Sequence, residues 1–354
     1  MNYSTVNILD LSDEMVLTIL NKLNNIDVLY SFIGVNRKLD RLARDITFTQ
    51  SIDLATISSN EHDDSRNESR LDRFCFDIIP RIQDNIECLT LDPLSTDRVL
   101  SIGSYSKLHK LTLVNFQLEM ASRIFNDGSS FNIFKHKISH LTITINDGST
   151  AQYIRKSSTN VLTNILTMFT NLTYLHFCLK DICHYPPTSF IDLVSTTCYP
   201  SNIIHLNVRV RNFNDCLCLL DGRLYQLQTF IVEVDKINTT SMTINHSRIL
   251  SNLKCFSLTS YRRTCNYDNQ IVPLLRQMSQ LEKLTLSLIV RGRISFIDGN
   301  HLVNHILNLE IVTGYFTNNA ARANCSKLTR IIFDSPPMIY SENFHLYFPL
   351  LYCK

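Results

Sequence analysis

The sequence predicts an α/β fold, an irregular solenoid of short parallel strands with connecting helices, preceded by a block of three short helices. Three observations predict it. A six-residue pattern, apolar at its first, fourth and sixth positions, recurs along most of the 354-residue chain. The segments between its copies are amphipathic with a helical period. The opening stretch carries helical periodicity alone and does not match the repeats.

That opening stretch reads LSDEMVLTILNKLNNIDVLYSF over residues 11–32. Ser12 is placed to cap a helix, and Asp13 and Glu14 follow where the helix dipole favours acids. The helix is expected to run to about Leu23, where Asn24 and Asn25 interrupt it. A second helix over residues 26–33 stops at Gly34, and Asn36 caps a third, in which Leu39, Leu42 and Ala43 are apolar. On the first helix Met15, Val16, Ile19, Leu20 and Leu23 spread over roughly 140°, and Leu17 widens the arc to about 200°. On the second, Ile26, Val28, Leu29, Phe32 and Ile33 also cover more than half the circumference. A surface helix needs a stripe of only about 100°. The block therefore lies under the first repeat or forms half of an interface.

Residues 48–57, FTQSIDLATI, alternate like a first edge strand. Residues 58–70, SSNEHDDSRNESR, lack apolar periodicity and read as a flexible loop or linker. Residues 71–82 read as the first solenoid helix, capped or kinked by Pro80.

The repeat then begins at Ile86, Leu108, Ile138, Leu172, Ile203, Leu227, Leu253, Leu281, Ile306 and Leu328. Each copy reads as a turn into a short strand whose fourth and sixth side chains enter one core. Residues 160–171, 215–226 and 270–280 supply helices between strands, and Val161, Leu162, Ile165, Leu166 and Phe169 share one helical face. A unit of this length cannot bury its own apolar face, so neighbours must stack. Lys110, Thr112, His140, Thr142, Asn207, Arg209, Lys283 and Thr285 alternate with the core positions and are expected on the exposed strand face. Two NDGS segments, at residues 126–129 and 146–149, read as turns.

Residues 86–335 resemble the leucine-rich-repeat family. The family's asparagine two residues after the strand core is matched by Asn146 alone; Leu94, Phe116, Lys180, Arg211, Asp235, Tyr261, Ile289, Gly314 and Pro336 stand at the other copies. The alternative is an ordinary α/β sheet protein with parallel strands.

The opening block has a resemblance of its own, to the F-box. Leu11, Glu14, Val16, Leu17, Ile19, Leu20 and Leu23 match the first part of that pattern, Asp27, Val28 and Leu29 the second, and Val35 and Arg37 the third. Ser12 replaces the usual proline, and Leu39 or Leu42 stands where tryptophan is common. The resemblance implies an F-box over residues 5–50, a connecting segment with the first solenoid helix over 51–85, and a leucine-rich-repeat solenoid over 86–354. It implies that Leu11, Ser12, Glu14, Val16, Leu17, Leu20, Leu23, Val28, Leu29 and Val35 bind a Skp-type adaptor and through it a cullin–RING ubiquitin ligase. The repeats would then present an unknown protein substrate, in the cytoplasm or nucleus. The alternative is a free-standing leucine-rich-repeat scaffold whose helices only cap the first repeat.

Composition narrows the other classes. Apolar residues at 44% and charged residues at 19% support a packed core. A net charge of +2 with short basic clusters, Arg262-Arg263 and Arg291-Gly292-Arg293, gives no general drive toward nucleic acid or membrane. The N-terminus has neither the basic nor the apolar region of a secretory signal, and no run of apolar residues spans a bilayer. Eleven scattered cysteines suit a reducing compartment. With only eight glycines, the chain has no glycine-rich phosphate loop and no nucleophile elbow. His301 and His305 stand one helical turn apart, but Leu302 occupies the metalloprotease glutamate's position. Cys216-x-Cys218 and the Cys178, Cys183, His184 group lack second half-sites at zinc spacing. The expectation is a non-enzyme with no cofactor and no metal.

Overall fold

The computed structural model describes residues 7–58, 64–126, 130–146, 151–179, 202–222, 224–239, 252–292 and 311–316. Three helices open the chain: α1 (Asp13–Leu20), α2 (Asn25–Phe32) and α3 (Arg37–Ala43). Two of their starts, at Ser12 and Asn36, follow the capping read above, while Asn24, expected only to interrupt the first helix, caps the second. The Ser12 side chain accepts a hydrogen bond from the Met15 N–H, Asn24 from Ile26, and Asn36 from Lys38. Gly34, with φ of 80°, makes the left-handed turn between α2 and α3. Helix α1 ends at Leu20 rather than near Leu23, where the chain passes into a turn before Asn24 caps α2.

The short α4 (Ile46–Thr49) leads into β1 (Ser51–Asp53), α5 (Ala55–Ser58) and α6 (Asp64–Arg73). A π turn, Phe74–Ile78, joins α6 to α7 (Ile79–Ile82). From there strands and helices alternate through β2 (Cys88–Leu91), α8 (Pro93–Leu100), β3 (Lys110–Phe116), α9 (Leu118–Ile124), β4 (His140–Ile145), α10 (Ala151–Met168) and β5 (Tyr174–Leu179). Then follow β6 (His205–Asn212), α11 (Phe213–Leu219), β7 (Thr229–Lys236), β8 (Cys255–Ser260), α12 (Val272–Arg276), β9 (Lys283–Leu288) and β10 (Ile311–Phe316).

All ten strands form one sheet, every strand pairing in it is parallel, and each strand lies beside the next in the chain. This is a solenoid-like α/β architecture. The register sets equivalent residues in rows, as in Leu141↔Leu175 and Leu175↔Leu206. One carbonyl recurs at every junction from β1 to β9. The second residue of each copy accepts the N–H groups of the second and third residues of the next, as Thr173 does from Ile204 and His205, both at 2.9 Å.

The first, fourth and sixth positions are buried in all eight copies from Ile86 to Leu281. Each such Leu, Ile, Val or Phe contributes about 1.5–3 kcal/mol of burial. The edge strand expected within residues 48–57 is β1, and its pairing Ser51↔Cys88 makes it a further copy, with Thr49, Ile52 and Leu54 at the three core positions. A threonine at the first position hides this copy from an apolar pattern.

Several elements differ from the sequence reading. Residues 64–70, expected in a loop, lie in α6. This helix is held by its continuation into the buried Leu71, Phe74 and Cys75, so its exposed first turns carry no apolar period. Helix α10 is longer than expected, and α11 and α12 are shorter. The ninth copy is shifted by three residues: Ile311, expected at its sixth position, pairs with Lys283, the third position of the copy before. Asn146 is exposed, and its backbone N–H donates to the Phe116 carbonyl at 2.8 Å. The copy at Leu328 and the remainder of both NDGS turns lie outside the described residues.

Two regularities were not foreseen. Both π turns, Phe74–Ile78 and Tyr267–Ile271, run into a short helix with proline in its first turn, Pro80 and Pro273. Proline lacks the N–H for the usual bond four residues back, and its ring crowds that carbonyl, so the preceding turn widens. The second regularity is a ladder of side-chain donors one residue before four of the copies. Asn171 Nδ2 donates to the His136 carbonyl at 2.6 Å, Asn202 Nδ2 to Thr170 at 2.9 Å, and Asn252 Nδ2 to Tyr225 at 3.1 Å. Lys137 Nζ does the same to Ser104 at 2.5 Å. These donors satisfy carbonyls where each chain segment turns into its strand.

Two stability measurements test this frame. Leu141→Ala is expected to cost about 2–5 kcal/mol in chemical denaturation, and Thr142→Ala, on the other face, within about 0.5 kcal/mol. Asn202→Leu is expected to cost about 0.5–1.5 kcal/mol, the net worth of one hydrogen bond.

Candidate functional site

Two surfaces stand out. The first is on the opening helices. One face of α1 packs inward through the buried Val16 and Leu20. The adjoining face exposes Met15 (55%) and Ile19 (44%), one helical turn apart, and Leu23 (47%) continues their line. Val35 (63%) is exposed in the turn before α3. Of the residues expected to bind a partner, Leu23 and Val35 are open, Ser12 and Glu14 are exposed, and Leu11 and Leu17 are half-buried against the core. Val16, Leu20, Val28 and Leu29 are fully buried and face this chain's own core. The exposed apolar stripe is therefore Met15, Ile19 and Leu23. Met15 and Ile19 belong to the apolar arc read from sequence, which alone does not tell its inner half from its outer.

Polar contacts fix the block. Arg41 Nη2 donates to Asp13 Oδ2 at 2.5 Å, and Lys38 donates to the carbonyls of Leu9, at 3.0 Å, and Leu11. The Arg41 hydrogen bond holds the exposed Asp13 carboxyl below its ordinary range. Asp40 joins the block to the solenoid. It accepts from the Gly34 N–H at 2.8 Å and lies 2.5 Å from Arg44 and 3.6 Å from Arg81 of α7. Its partial burial works against ionisation, but the Gly34 N–H and the two guanidinium groups outweigh it and lower its pKa. Beside it, Tyr30 of α2 stacks on Phe74 at 6.3 Å between centroids and lies under Arg70 and Arg73 at 5.1 and 4.6 Å. Arg70 also donates to Asp27 at 3.1 Å, and Arg73 to the Ile33 carbonyl at 3.2 Å.

The second surface is the sheet face away from the core. Lys110, Thr112, His140, Thr142, Asn207, Lys283 and Thr285 are exposed or half-buried there, as alternation requires. Arg209 is the exception, only 3% exposed, with the Tyr261 ring 5.2 Å from its guanidinium. Tyr261 Oη donates to Glu233 Oε2 at 2.6 Å, and Glu233 pairs with Arg209 in register. Burial and the Glu233 carboxylate push the Tyr261 phenol well above its ordinary range. The sequence reading did not find the column of stacked rings across three strands. His140 lies 5.6 Å from Tyr174, and Tyr174 lies 4.4 Å from His205, with interplanar angles of 17° and 15°. All three occupy the third position of their copies, so self-alignment of the repeat reveals the row.

A cavity of about 520 Å³ lies along the amide ladder, lined by Gln226, Gln228, Asn252 and Gln280 among others. Its one charged lining residue, Lys254, is 3.4 Å from Glu282. Cys216 and Cys218 are buried in α11, and burial pushes the Cys216 thiol far up. Among the described residues no group of three or more His, Cys, Asp or Glu is placed to hold a metal ion, and no helix is long and apolar enough to cross a membrane. Cys183, His184, His301 and His305 lie outside the described residues. In comparison with known proteins, the chain matches no family model and no curated protein.

The lowered pKa of Asp40 predicts an acid-sensitive junction. Its ionised form is favoured by folding, so this stability is present above about pH 4 and is lost as pH falls through the lower folded value. Asp40→Asn is expected to lower the melting temperature at pH 7 and to narrow its difference from the native chain near pH 3.

Proposed function

We propose that this chain is a non-catalytic substrate-recognition subunit of a Skp–cullin–F-box ubiquitin ligase, working in the cytoplasm or nucleus. The helices α1–α3 are the F-box, and the repeats are leucine-rich repeats that hold a protein substrate. The observation that carries this reading is the exposed Met15–Ile19–Leu23 stripe on a helix whose other face is packed and whose neighbours are tied to the solenoid. Three apolar side chains left in water on a rigid, capped helix are a surface suited to a partner. Burying each on association would contribute up to about 1.5–3 kcal/mol. The resemblance of residues 11–37 to the F-box pattern gives that partner as a Skp-type adaptor. Skp-type docking here would use Met15, Ile19, Leu23 and Val35, with Leu11 and Leu17 at the margin. The buried Val16, Leu20, Val28 and Leu29 would hold the helices in place.

One observation favours the second reading, a free-standing repeat scaffold with a helical cap. The Asp40–Arg81 contact and the Tyr30–Phe74 stack join the block to the first repeat as a cap would be joined. The two readings differ in what the exposed stripe does.

Co-purification separates them. The full chain is expected to form a stoichiometric complex with a Skp-type adaptor, and Met15→Asp with Ile19→Asp is expected to abolish it without changing the melting temperature by more than a few degrees. A native chain that stays monomeric beside the adaptor would establish the cap reading. Leu20 is unsuitable for this test, because a carboxylate at that buried position would unfold the block.

A further inference from the structure

The open sheet face changes character across the solenoid. Strands β3 to β6 contain no aspartate or glutamate. Their outward residues include Lys110, His140, Tyr174, His176, His205, Arg209 and Arg211. Acids return on either side. Glu87, which accepts from Gln50, precedes β2, and Glu233 and Asp235 lie on β7, where Tyr261 and Arg262 engage them. The cationic zone is thus a bounded patch of four strands. At about 4.8 Å per strand it is roughly 15 Å wide, the length of four to five extended residues.

We propose that this patch is a docking site for a short acidic peptide segment, gripped by the His140–Tyr174–His205 column with Lys110 and Arg211 beside it. The proposal rests on reading the repeats as the substrate-holding half of the molecule. Three observations carry it. The stacked rings make a rigid platform whose ring planes are nearly parallel, so little side-chain entropy remains to be lost on binding. Arg209, four residues along β6 from His205, is held 5.2 Å from the Tyr261 ring centroid, which sets a fixed cation at one end of the patch. Glu87 on one side and Glu233 and Asp235 on the other bound the cationic residues, which suits a short acidic segment better than a long phosphate backbone.

The imidazoles make this site pH-responsive. Burial lowers the pKa of His140, with His109 and Lys110 of the β3 side adding to it. Burial lowers that of His176, against the opposing pull of Glu233 from β7. Burial also lowers that of His205, assisted by His176 and His140. Arg209 and Arg211 of β6, and Tyr174 and Cys178 of β5, complete the charged and titratable groups on these strands. The rings are therefore neutral at pH 7.4 in the free protein. A bound carboxylate stabilises the imidazolium form and raises those pKa values, so binding takes up protons and strengthens as pH falls.

The test uses the full chain and a fluorescent glutamate–tyrosine copolymer, followed by anisotropy at pH 7.4 and pH 5.8 and constant ionic strength. Affinity is expected to rise on the order of tenfold at the lower pH. His140→Gln with His205→Gln is expected to remove that rise, and Lys110→Glu to weaken binding at both pH values. Arg123→Gln, on α9, is expected to leave both unchanged. Circular dichroism melts confirm folding; should the double histidine variant fail to fold, Lys110→Glu carries the decision. An unchanged pH dependence in the folded histidine variant, an unchanged affinity in Lys110→Glu, equal binding of a lysine–tyrosine copolymer, or tighter binding of a polyuridine RNA would each overturn the proposal. Adaptor co-purification is measured on the same preparations. Loss of the adaptor complex with intact copolymer binding would sink the ligase reading and leave this site standing.

Discussion

The in-register stacking of strand–helix units is the constraint on which everything else depends. A six-residue strand with two inward side chains encloses nothing by itself. Set beside an identical strand, it joins rows such as Leu141, Leu175 and Leu206, which shut water out together. The shared carbonyl at the second position of each copy accepts two N–H groups from the next and thereby sets the register. A slip of one residue would turn both core side chains to water and bring the next polar pair inside.

This constraint leaves the intervening segments free, and they vary. Helix α10 covers eighteen residues, while α12 covers five. What must be kept is closure of each turn back onto the sheet. Amides and one lysine before the strand supply that closure from outside the core, and prolines after π turns bend two of the helical segments toward it. Asn146, the only residue that matched the expected asparagine after the strand, stands exposed and contributes a backbone bond. The ladder on the entry side of the strand does comparable work through different residues.

The ends and the open face of such a stack are where function can reside, because neither takes part in the stacking. The opening helices close one end with Val28 and Leu29 inward and Met15 and Ile19 outward, so one short block both covers a core and offers an apolar surface. On the open face the outward positions are free of packing demands, and strands β3 to β6 fill them with rings and cations where the next strand, β7, carries acids. Register turns that local choice into a column, since residues thirty or so positions apart become adjacent when their strands pair.

The sequence by itself determined the strand–helix repeat, the inward positions of eight copies, the three opening helices and two of their caps, because each depends on short-range pattern and local hydrogen bonding. It missed the first copy, where Thr49 stands at an apolar position. It misplaced the ninth, where Gly314 replaces a core side chain, and it missed the exposed turns of α6, which carry no period. Tertiary structure alone decided which half of each broad apolar arc faces water. Helical periodicity gives the width of an arc but not the side on which the solenoid lies, and so Leu20 and Ile19 could not be told apart. The same holds for Arg209, buried by a tyrosine two strands away, and for the stacked column of His140, Tyr174 and His205. Those contacts exist only because parallel register brings distant residues within a few ångströms of one another.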